Sequence, residues 1–222
     1  MEAPKAVETK YEGYHFRSRS EARWAIFLDA CGVDWEYEVE HYENADGQGY
    51  VPDFLLHDVH VRNWKDGTDV WLEVKGNMTE HDREKIRGFA LIKTGVSKYG
   101  WNEYNIVNPI LVVGNIPRES TKNGWEGVDW AVFEKYDEDN MFYSFGLVDG
   151  DEYGAFPCIT SNGKFGLIGG DYLEDADIGA TELAFRIARE ARFEWDETPT
   201  RASVLKRMQK ECWEPRWNRR RS

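Results

Sequence analysis

Two short apolar segments carry charged residues at positions that are normally buried and apolar in a strand. Asp53 interrupts the apolar segment 50–56, and Glu73 and Lys75 interrupt the segment 70–76. Because side chains alternate along a strand, Glu73 and Lys75 share one face, about 6.5–7 Å apart at the usual rise per residue. Burying charges in a sheet is costly unless they are paired or bind a cation. The pattern therefore predicts a functional site.

The composition of this set is that of a divalent-metal site. Mg²⁺ and Mn²⁺ prefer oxygen ligands in octahedral geometry and keep some of their waters. Asp53 and Glu73 on adjacent strands can supply two ligands, and the backbone carbonyl of Val74 can supply a third. Such an ion lowers the pKa of a bound water and neutralises a phosphate. Lys75 can orient or deprotonate that water, so the residue types predict phosphodiester hydrolysis.

A third acid, Glu21, lies on a predicted helix that begins after Ser18 and stops at Gly32. It extends by one turn an apolar stripe formed by Trp24, Phe27, Leu28 and Cys31. Glu21 either completes a capping box with Ser18, a local role of about 1 kcal/mol, or points into the sheet that carries the other acids. Taken with Asp53 and Glu73, the second interpretation is favoured, with Glu21 holding a second ion or a water of the first.

Helix and strand patterns in the first half predict the frame that positions these residues. Residues 33–39 alternate as a strand with Val33, Trp35, Tyr37 and Val39 inward. A helix follows over 79–93 with Thr79 as N-cap and Ile86, Phe89 and Ala90 as its packing face, and the apolar run 109–117 predicts a strand buried on both faces. We therefore expect an α/β (α+β) fold with a mixed β-sheet flanked by helices.

The second half predicts hairpins and two helices. Strands 128–133 and 141–148 form one hairpin, and strands 155–160 and 164–168 form another across 161–163. An amphipathic helix follows over 180–193, and Thr198-Pro199 opens a last helix toward Trp213. We expect residues 1–117 to form the core that carries the site. Residues 118–222 then form an extension of β-hairpins and two helices packed on it.

The order of an acid on a helix, then Pro52-Asp53, then Glu73-Val74-Lys75 resembles the PD-(D/E)XK nuclease superfamily. The early glutamate makes the layout most similar to junction-resolving and transposon end-cleaving endonucleases. The segment 16–25 also resembles nuclease-like proteins of phages and their bacterial hosts. The resemblance covers residues 11–117 and implies a restriction-endonuclease-like αβββαβ core. It also implies a magnesium-dependent deoxyribonuclease that leaves 5′-phosphate ends, with Glu21, Asp53, Glu73 and Lys75 as its catalytic residues.

Charge distribution bears on the partner of such an enzyme. The net charge of −13 argues against a nonspecific nucleic-acid binder, but residues 201–222 carry eight basic and two acidic side chains. Arg17, Arg19 and Arg23 flank the site helix, where they either hold DNA phosphates or form an ordinary solvated surface. Double-stranded or branched DNA is the expected partner, and a homodimer would supply the two cuts a branched substrate needs. The alternatives are an inactive nuclease-fold module that binds DNA or a host protein, and an RNA-processing enzyme.

Several classes of protein are excluded by composition. The chain has no run of 18 or more apolar residues, which excludes a transmembrane helix. Its first ten residues lack the apolar core of a secretion signal. Its three cysteines show no C-x-x-C spacing, which excludes a zinc ribbon and a four-cysteine iron–sulfur cluster. We expect a reducing, cytoplasmic setting in a bacterial or phage-infected cell.

Overall fold

The computed structural model describes residues 6–43, 47, 49–61, 67–90, 110–118, 120–121, 124–125, 132–136, 141–145, 155–169, 174–194 and 197–213. Within these ranges it has four helices: α1 (Arg19–Ala30), α2 (Glu80–Ala90), α3 (Ile178–Glu190) and α4 (Arg201–Trp213). The strands of the first half are β1 (Thr9–Tyr11), β2 (Tyr14–Phe16), β3 (Trp35–Tyr37), β4 (Tyr42–Glu43), β5 (Gly49–Tyr50), β6 (Phe54–Val61), β7 (Thr68–Val74) and β8 (Ile110–Val113). Those of the second half are β9 (Ser120–Thr121), β10 (Gly124–Trp125), β11 (Val132–Tyr136), β12 (Met141–Phe145), β13 (Ala155–Ile159) and β14 (Phe165–Gly169).

A six-stranded mixed sheet lies at the centre, in the order β13-β14-β6-β7-β8, with β3 also paired to β6. Strand β6 runs antiparallel to β3 and β7, whereas β8 runs parallel to β7 and β14 parallel to β6. The predicted α+β fold with a mixed sheet flanked by helices is therefore confirmed. Hairpin β13–β14 forms as the turn residues predict, since Gly163 adopts the positive φ of +81° that its turn requires.

The sheet separates two apolar layers. Val70, Leu72 and Val74 of β7 face a large core with α1, α3 and α4, whereas Trp71 faces a smaller core with α2. This division confirms the predicted alternation along β7. The strand predicted over 109–117 is limited to β8. It contributes Leu111 and Val113 to the large core and Ile110 and Val112 to the small one, so it is buried on both faces as predicted.

Helix α1 has the caps that the sequence predicts. The N–H of Glu21 donates to the hydroxyl of Ser18 at 3.2 Å, and Gly32 has a φ of +71° just past the end. The Phe27 ring stacks on Phe185 of α3 at 4.2 Å, while the Trp24 indole donates to the carbonyl of Gly114 at 2.9 Å. These contacts hold α1 against both the sheet and the C-terminal helices.

Helix α2 also begins where its cap predicts. Thr79 and Asp82 exchange hydrogen bonds, with the Asp82 N–H donating to the Thr79 hydroxyl at 3.2 Å and the Thr79 N–H donating to the Asp82 carboxylate at 3.0 Å. Ile86 and Phe89 are buried as predicted. The side chain of Ala90 and residues 91–93 lie outside what the structure describes.

Two predictions in the first half are wrong in detail. The strand predicted over 33–39 is limited to β3, and Val39 is exposed because Glu38 adopts a φ of +47° and turns the chain out of the alternation. The strand predicted over 50–56 is divided into β5 and β6, so Asp53 lies in the connection just before β6. Pro52 lies in that same connection, where no ladder hydrogen bond is required of it.

Element boundaries also differ in the second half. The first strand of the 128–148 hairpin is β11, later than predicted, and residues 128–131 and 146–148 lie outside the described ranges. Helix α3 begins earlier than predicted because Asp177 caps it through the N–H of Ala180, and it ends earlier than predicted, at Glu190. Helix α4 begins at Arg201 because Thr200, and not Thr198, exchanges hydrogen bonds with Ser203.

The C-terminal segment packs on the first half. Strand β14 pairs with β6, and α3 and α4 bury Phe185, Val204 and Met208 in the large core beside α1. The domain boundary at residue 117 stays a prediction. The cysteines are free, with Cys31 and Cys158 buried. In the ranges given above, no helix combines the length and the apolar character needed to cross a membrane.

Candidate active site

Asp53 and Glu73 lie side by side at one end of the central strands. Phe54 of β6 pairs with Leu72 of β7 in antiparallel register, which brings the residue before Phe54 next to the residue after Leu72. The N–H of Asp53 lies 3.3 Å from the Glu73 Oε2 atom, and the N–H of Val74 donates to the Asp53 Oδ2 atom at 2.7 Å. Asp53 is 1% exposed and Glu73 is 2% exposed. The two acids predicted as metal ligands are therefore adjacent and buried.

Both oxygens of Glu73 have partners. The Lys75 ammonium lies 2.7 Å from Oε1, and the Tyr50 hydroxyl donates to Oε2 at 2.8 Å. Burial by itself lowers the pKa of Lys75, but the charge and hydrogen bond of Glu73 outweigh burial and raise it. Burial, with the charge of Glu73 added, raises the pKa of the Tyr50 hydroxyl. Both groups therefore remain protonated donors at neutral pH.

Glu21 has contacts both at the start of α1 and with the central sheet, and its role in holding an ion or a water stays a prediction. It is 6% exposed and accepts from the Ser18 hydroxyl at 2.7 Å and from the backbone N–H of Arg17 at 3.1 Å, which are local contacts at the start of α1. It also accepts from the Tyr37 hydroxyl of β3 at 2.6 Å. Its charge contributes to the rise in the pKa of Asp53, so it belongs to the same electrostatic neighbourhood.

Arg17 joins these acids at the solvent side of the site. Its Nη2 atom lies 2.5 Å from the Asp53 Oδ1 atom, and its Nε atom lies 2.8 Å from the Glu38 Oε1 atom. The same residue donates its backbone N–H to Glu21. The side chain of Arg17 is 56% exposed, whereas that of Asp53 is 2% exposed. Arg17 therefore covers the mouth of a buried acid cluster.

The site carries excess negative charge. Burial raises the pKa of Asp53 well above its ordinary value, and repulsion from Glu73 and Glu21 raises it further. The Val74 N–H and the Arg17 guanidinium oppose that rise without cancelling it. The cluster has three buried carboxyl groups but two neighbouring cations, those of Arg17 and Lys75. A cluster of this kind lowers its free energy by binding a proton or a cation.

The other two arginines expected to contact DNA have different surroundings. Arg19 forms an ion pair with Glu194 at 2.7 Å, and its side chain is 39% exposed. Arg23 is half-buried on α1. The Nε atoms of both arginines are buried and have no hydrogen-bond partner. The structure therefore places Arg17 in the acid cluster, whereas Arg19 and Arg23 lie on α1, where Arg19 pairs with Glu194.

The sequence patterns do not predict the roles of Tyr37 and Tyr50 or the contact of Arg17 with the acid cluster. The alternation of 33–39 predicts Tyr37 as an inward residue, and Tyr50 is the first residue of the segment around Asp53. These positions indicate that both tyrosines could lie near the site. Neither pattern shows that each hydroxyl meets a carboxylate. Each of these hydrogen bonds joins residues at least 16 positions apart in the chain.

Asp53 and Glu73 are the two acids whose chemistry would suit a magnesium or manganese ion. Within the ranges described, no group of three or more His, Cys, Asp or Glu side chains could hold a metal ion. Mg²⁺ is commonly held by one or two carboxylates together with water and substrate phosphate, and Asp53 and Glu73 are an adjacent pair with charge to be neutralised. Val74 contributes its N–H to Asp53, and its carbonyl as a ligand stays a prediction.

The arrangement is chemically suited to binding a cation and an anionic ester together. Buried carboxylates lie inside, the Lys75 ammonium lies against them, and the Arg17 guanidinium lies at the entrance. Such a set can orient a water and neutralise charge that develops on a phosphate.

No protein-family model matches this chain, and comparisons with curated proteins and with solved structures gave no match.

Proposed function

We propose that this protein is a divalent-metal-dependent nuclease that hydrolyses DNA phosphodiester bonds and leaves 5′-phosphate ends. The observation that carries the proposal is the buried pair Asp53 and Glu73, with Lys75 bonded to Glu73 and negative charge in excess. The chain order α1, β3, β6, β7, α2, β8 supports the finer proposal of a restriction-endonuclease-like αβββαβ core.

Each residue has a role in the proposed reaction. Asp53, Glu73 and the Val74 carbonyl would hold Mg²⁺ or Mn²⁺, and Glu21 would hold a further ion or an ordered water. The ion supplies an activated water and neutralises the phosphate. Lys75 carries a raised pKa and acts as a donor, so it orients the attacking water and faces the developing negative charge.

Arginines at the start of α1 are the proposed DNA contacts. Arg17 is the most exposed of the groups that contact the acid cluster, with 56% of its side chain exposed, and 39% of the Arg19 side chain is exposed. Guanidinium groups bind phosphate oxygens in a fixed, often bidentate geometry. Double-stranded or branched DNA is the proposed substrate, and a homodimer would provide the two active sites for paired cuts.

A panel of nucleic acids tests this function. Supercoiled, linear, branched and single-stranded DNA, together with RNA, are incubated with purified protein in Mg²⁺, Mn²⁺ or EDTA. We expect metal-dependent cleavage of DNA whose new 5′ ends are substrates for alkaline phosphatase and for ligase. Glu73→Gln keeps an acceptor for Tyr50 but removes the charge, and we expect at least about a hundredfold loss of rate.

The matched control is Glu8→Gln, which removes a charge from an exposed position outside the site. Its cleavage rate should equal that of wild type. Identical products and rates for wild type and Glu73→Gln would show that the cleavage comes from elsewhere or from a contaminant. Preferential cleavage of RNA would show that the substrate is RNA and not DNA, while the proposed active-site residues would stand.

An inactive nuclease-fold module that binds DNA or a host protein is the second candidate. One observation favours it: every carboxylate oxygen of Asp53 and Glu73 already has a partner within the chain, with Arg17 on the Asp53 Oδ1 atom. Binding of labelled DNA without cleavage, together with no heat of Mn²⁺ binding in calorimetry, would support this candidate. Metal-dependent cleavage that Glu73→Gln abolishes would reject it.

A further inference from the structure

The closest cation to the buried carboxylate of Asp53, among the contacts described, is the side chain of Arg17. The Arg17 Nη2 atom lies 2.5 Å from the Asp53 Oδ1 atom, so a charge-assisted hydrogen bond joins the two side chains. The other oxygen, Oδ2, accepts from the Val74 N–H. Asp53 therefore has one oxygen bonded to the sheet backbone and one bonded to a side chain at the surface. Only the second bond can be exchanged without disturbing β7.

Arg17 has the exposure and the second anchor that such an exchange requires. Its side chain is 56% exposed, so it can rotate away from Asp53 without opening the core. Its Nε atom is held at 2.8 Å by Glu38, whose side chain is 34% exposed. A guanidinium that leaves Asp53 therefore keeps an acidic partner at the mouth of the site.

We infer that Arg17 is a built-in counter-cation for Asp53, which a divalent metal ion displaces when it binds. This inference rests on the proposed function, because it concerns the same metal site. The Asp53 Oδ1 atom cannot be bonded to the guanidinium and ligate an ion from the same direction, so the two cations compete for one oxygen. Arg17 stabilises the acid cluster before the metal arrives and weakens the apparent affinity of the site for the metal.

Calorimetric titration with Mn²⁺, without nucleic acid, tests the competition directly. Arg17→Gln removes the competing charge, and we expect it to bind Mn²⁺ about ten- to a hundredfold more tightly than wild type. Arg19→Gln is the matched control, because it removes an equal charge two residues further along the chain, at the first residue of α1, where Arg19 pairs with Glu194. Its affinity should stay within about twofold of wild type, which separates direct competition from a general change of charge.

Nuclear magnetic resonance of the arginine side chains in the wild-type protein gives a second readout. The Arg17 guanidinium signals, assigned through bonds from the backbone resonances of the wild-type protein, should shift as Mg²⁺ is added, while those of Arg19 stay in place. This measurement decides the question even where Arg17→Gln does not fold. Unchanged Arg17 signals at saturating Mg²⁺ would overturn the inference.

The outcomes distinguish this inference from the proposed function. Mn²⁺ binding of equal strength in wild type, Arg17→Gln and Arg19→Gln would overturn the role of Arg17 alone. Equal tightening in Arg17→Gln and Arg19→Gln would also overturn it, since a general electrostatic effect would then suffice. Failure of wild type and both variants to bind Mg²⁺ or Mn²⁺ would overturn the proposed function together with the inference.

Discussion

Replacing Asp53 by asparagine should stabilise the metal-free protein while abolishing its proposed activity. Asp53 is 1% exposed, and burial together with repulsion from Glu73 and Glu21 raises its pKa well above the ordinary value. Ionising this side chain in the folded state therefore costs free energy. In Asp53→Asn the amide oxygen can still accept from the Val74 N–H, but the charge is gone.

The expected gain is about 1–2 kcal/mol in the free energy of unfolding near pH 8. Replacing buried charges by neutral groups of similar size is neutral or stabilising by about 1–4 kcal/mol, and the lower part of that range applies because Arg17 loses its partner at 2.5 Å. For a chain of 222 residues each kcal/mol shifts the Tm by about 2–4 °C. The variant should therefore melt about 2–8 °C above wild type.

The pH dependence has a defined sign. Because the folded pKa of Asp53 is raised, the folded state binds more protons than the unfolded state above about pH 4. Wild type therefore loses stability as the pH rises from about 4 toward the folded pKa of Asp53, and the variant lacks this loss. The difference in Tm should vanish below about pH 4 and be largest at high pH.

Thermal unfolding followed by circular dichroism, in EDTA from pH 4 to pH 8.5, measures this difference. Glu8→Gln serves as control and should melt with wild type, because its side chain is exposed. Adding Mg²⁺ should stabilise wild type by mass action but leave Asp53→Asn unchanged. A variant that melts below wild type at pH 8 in EDTA would refute the reasoning, since Arg17 and Val74 would then stabilise the carboxylate fully.

Three further predictions concern the frame around the site. Phe27→Ala should cost about 3–5 kcal/mol in urea denaturation, because the buried ring stacks on Phe185 at 4.2 Å; an unchanged midpoint would contradict the α1–α3 core. Asp29→Ala should cost about 2–4 kcal/mol by the same assay, since it leaves a buried tyrosine hydroxyl and a tryptophan N–H without their acceptor, whereas Asp29→Asn should cost less. The imidazole of His57 should titrate above pH 6.5 by nuclear magnetic resonance, because Glu36 and Asp69 outweigh burial, which lowers the pKa; a value at or below 6.5 would contradict those contacts. The stability that His57 contributes is then complete below about pH 6.5 and is lost as the pH rises through its folded pKa.

Local patterns predict the elements that carry the site. Helix α1 is bounded by Ser18 and Gly32, whose capping roles depend on residues three or four positions away. The alternation along β7 places Glu73 on the face that points away from the large core, because successive side chains of a strand point to opposite faces of the sheet. The adjacency of Asp53 and Glu73 then follows from antiparallel pairing of two successive strands.

Patterns fail where a single backbone angle or a distant partner decides the outcome. Val39 belongs to an alternating segment, but the φ of +47° at Glu38 ends the strand before it. The turn at Gly163 predicts the hairpin β13–β14, yet nothing in that segment indicates that β14 pairs in parallel with β6. These two strands are far apart in the chain, and the helix α3 that follows β14 packs against α1 in the large core.

The amino-acid sequence alone determined which side chains are unusual: acids and a lysine within apolar strands, and an acid on the buried stripe of a capped helix. Their types, and the periodicity of the elements that carry them, are local properties of the chain. Only the tertiary structure decided how their charges are balanced. The bond between Arg17 and Asp53 joins residues 36 positions apart, so it exists only because α1 and the central sheet pack against each other.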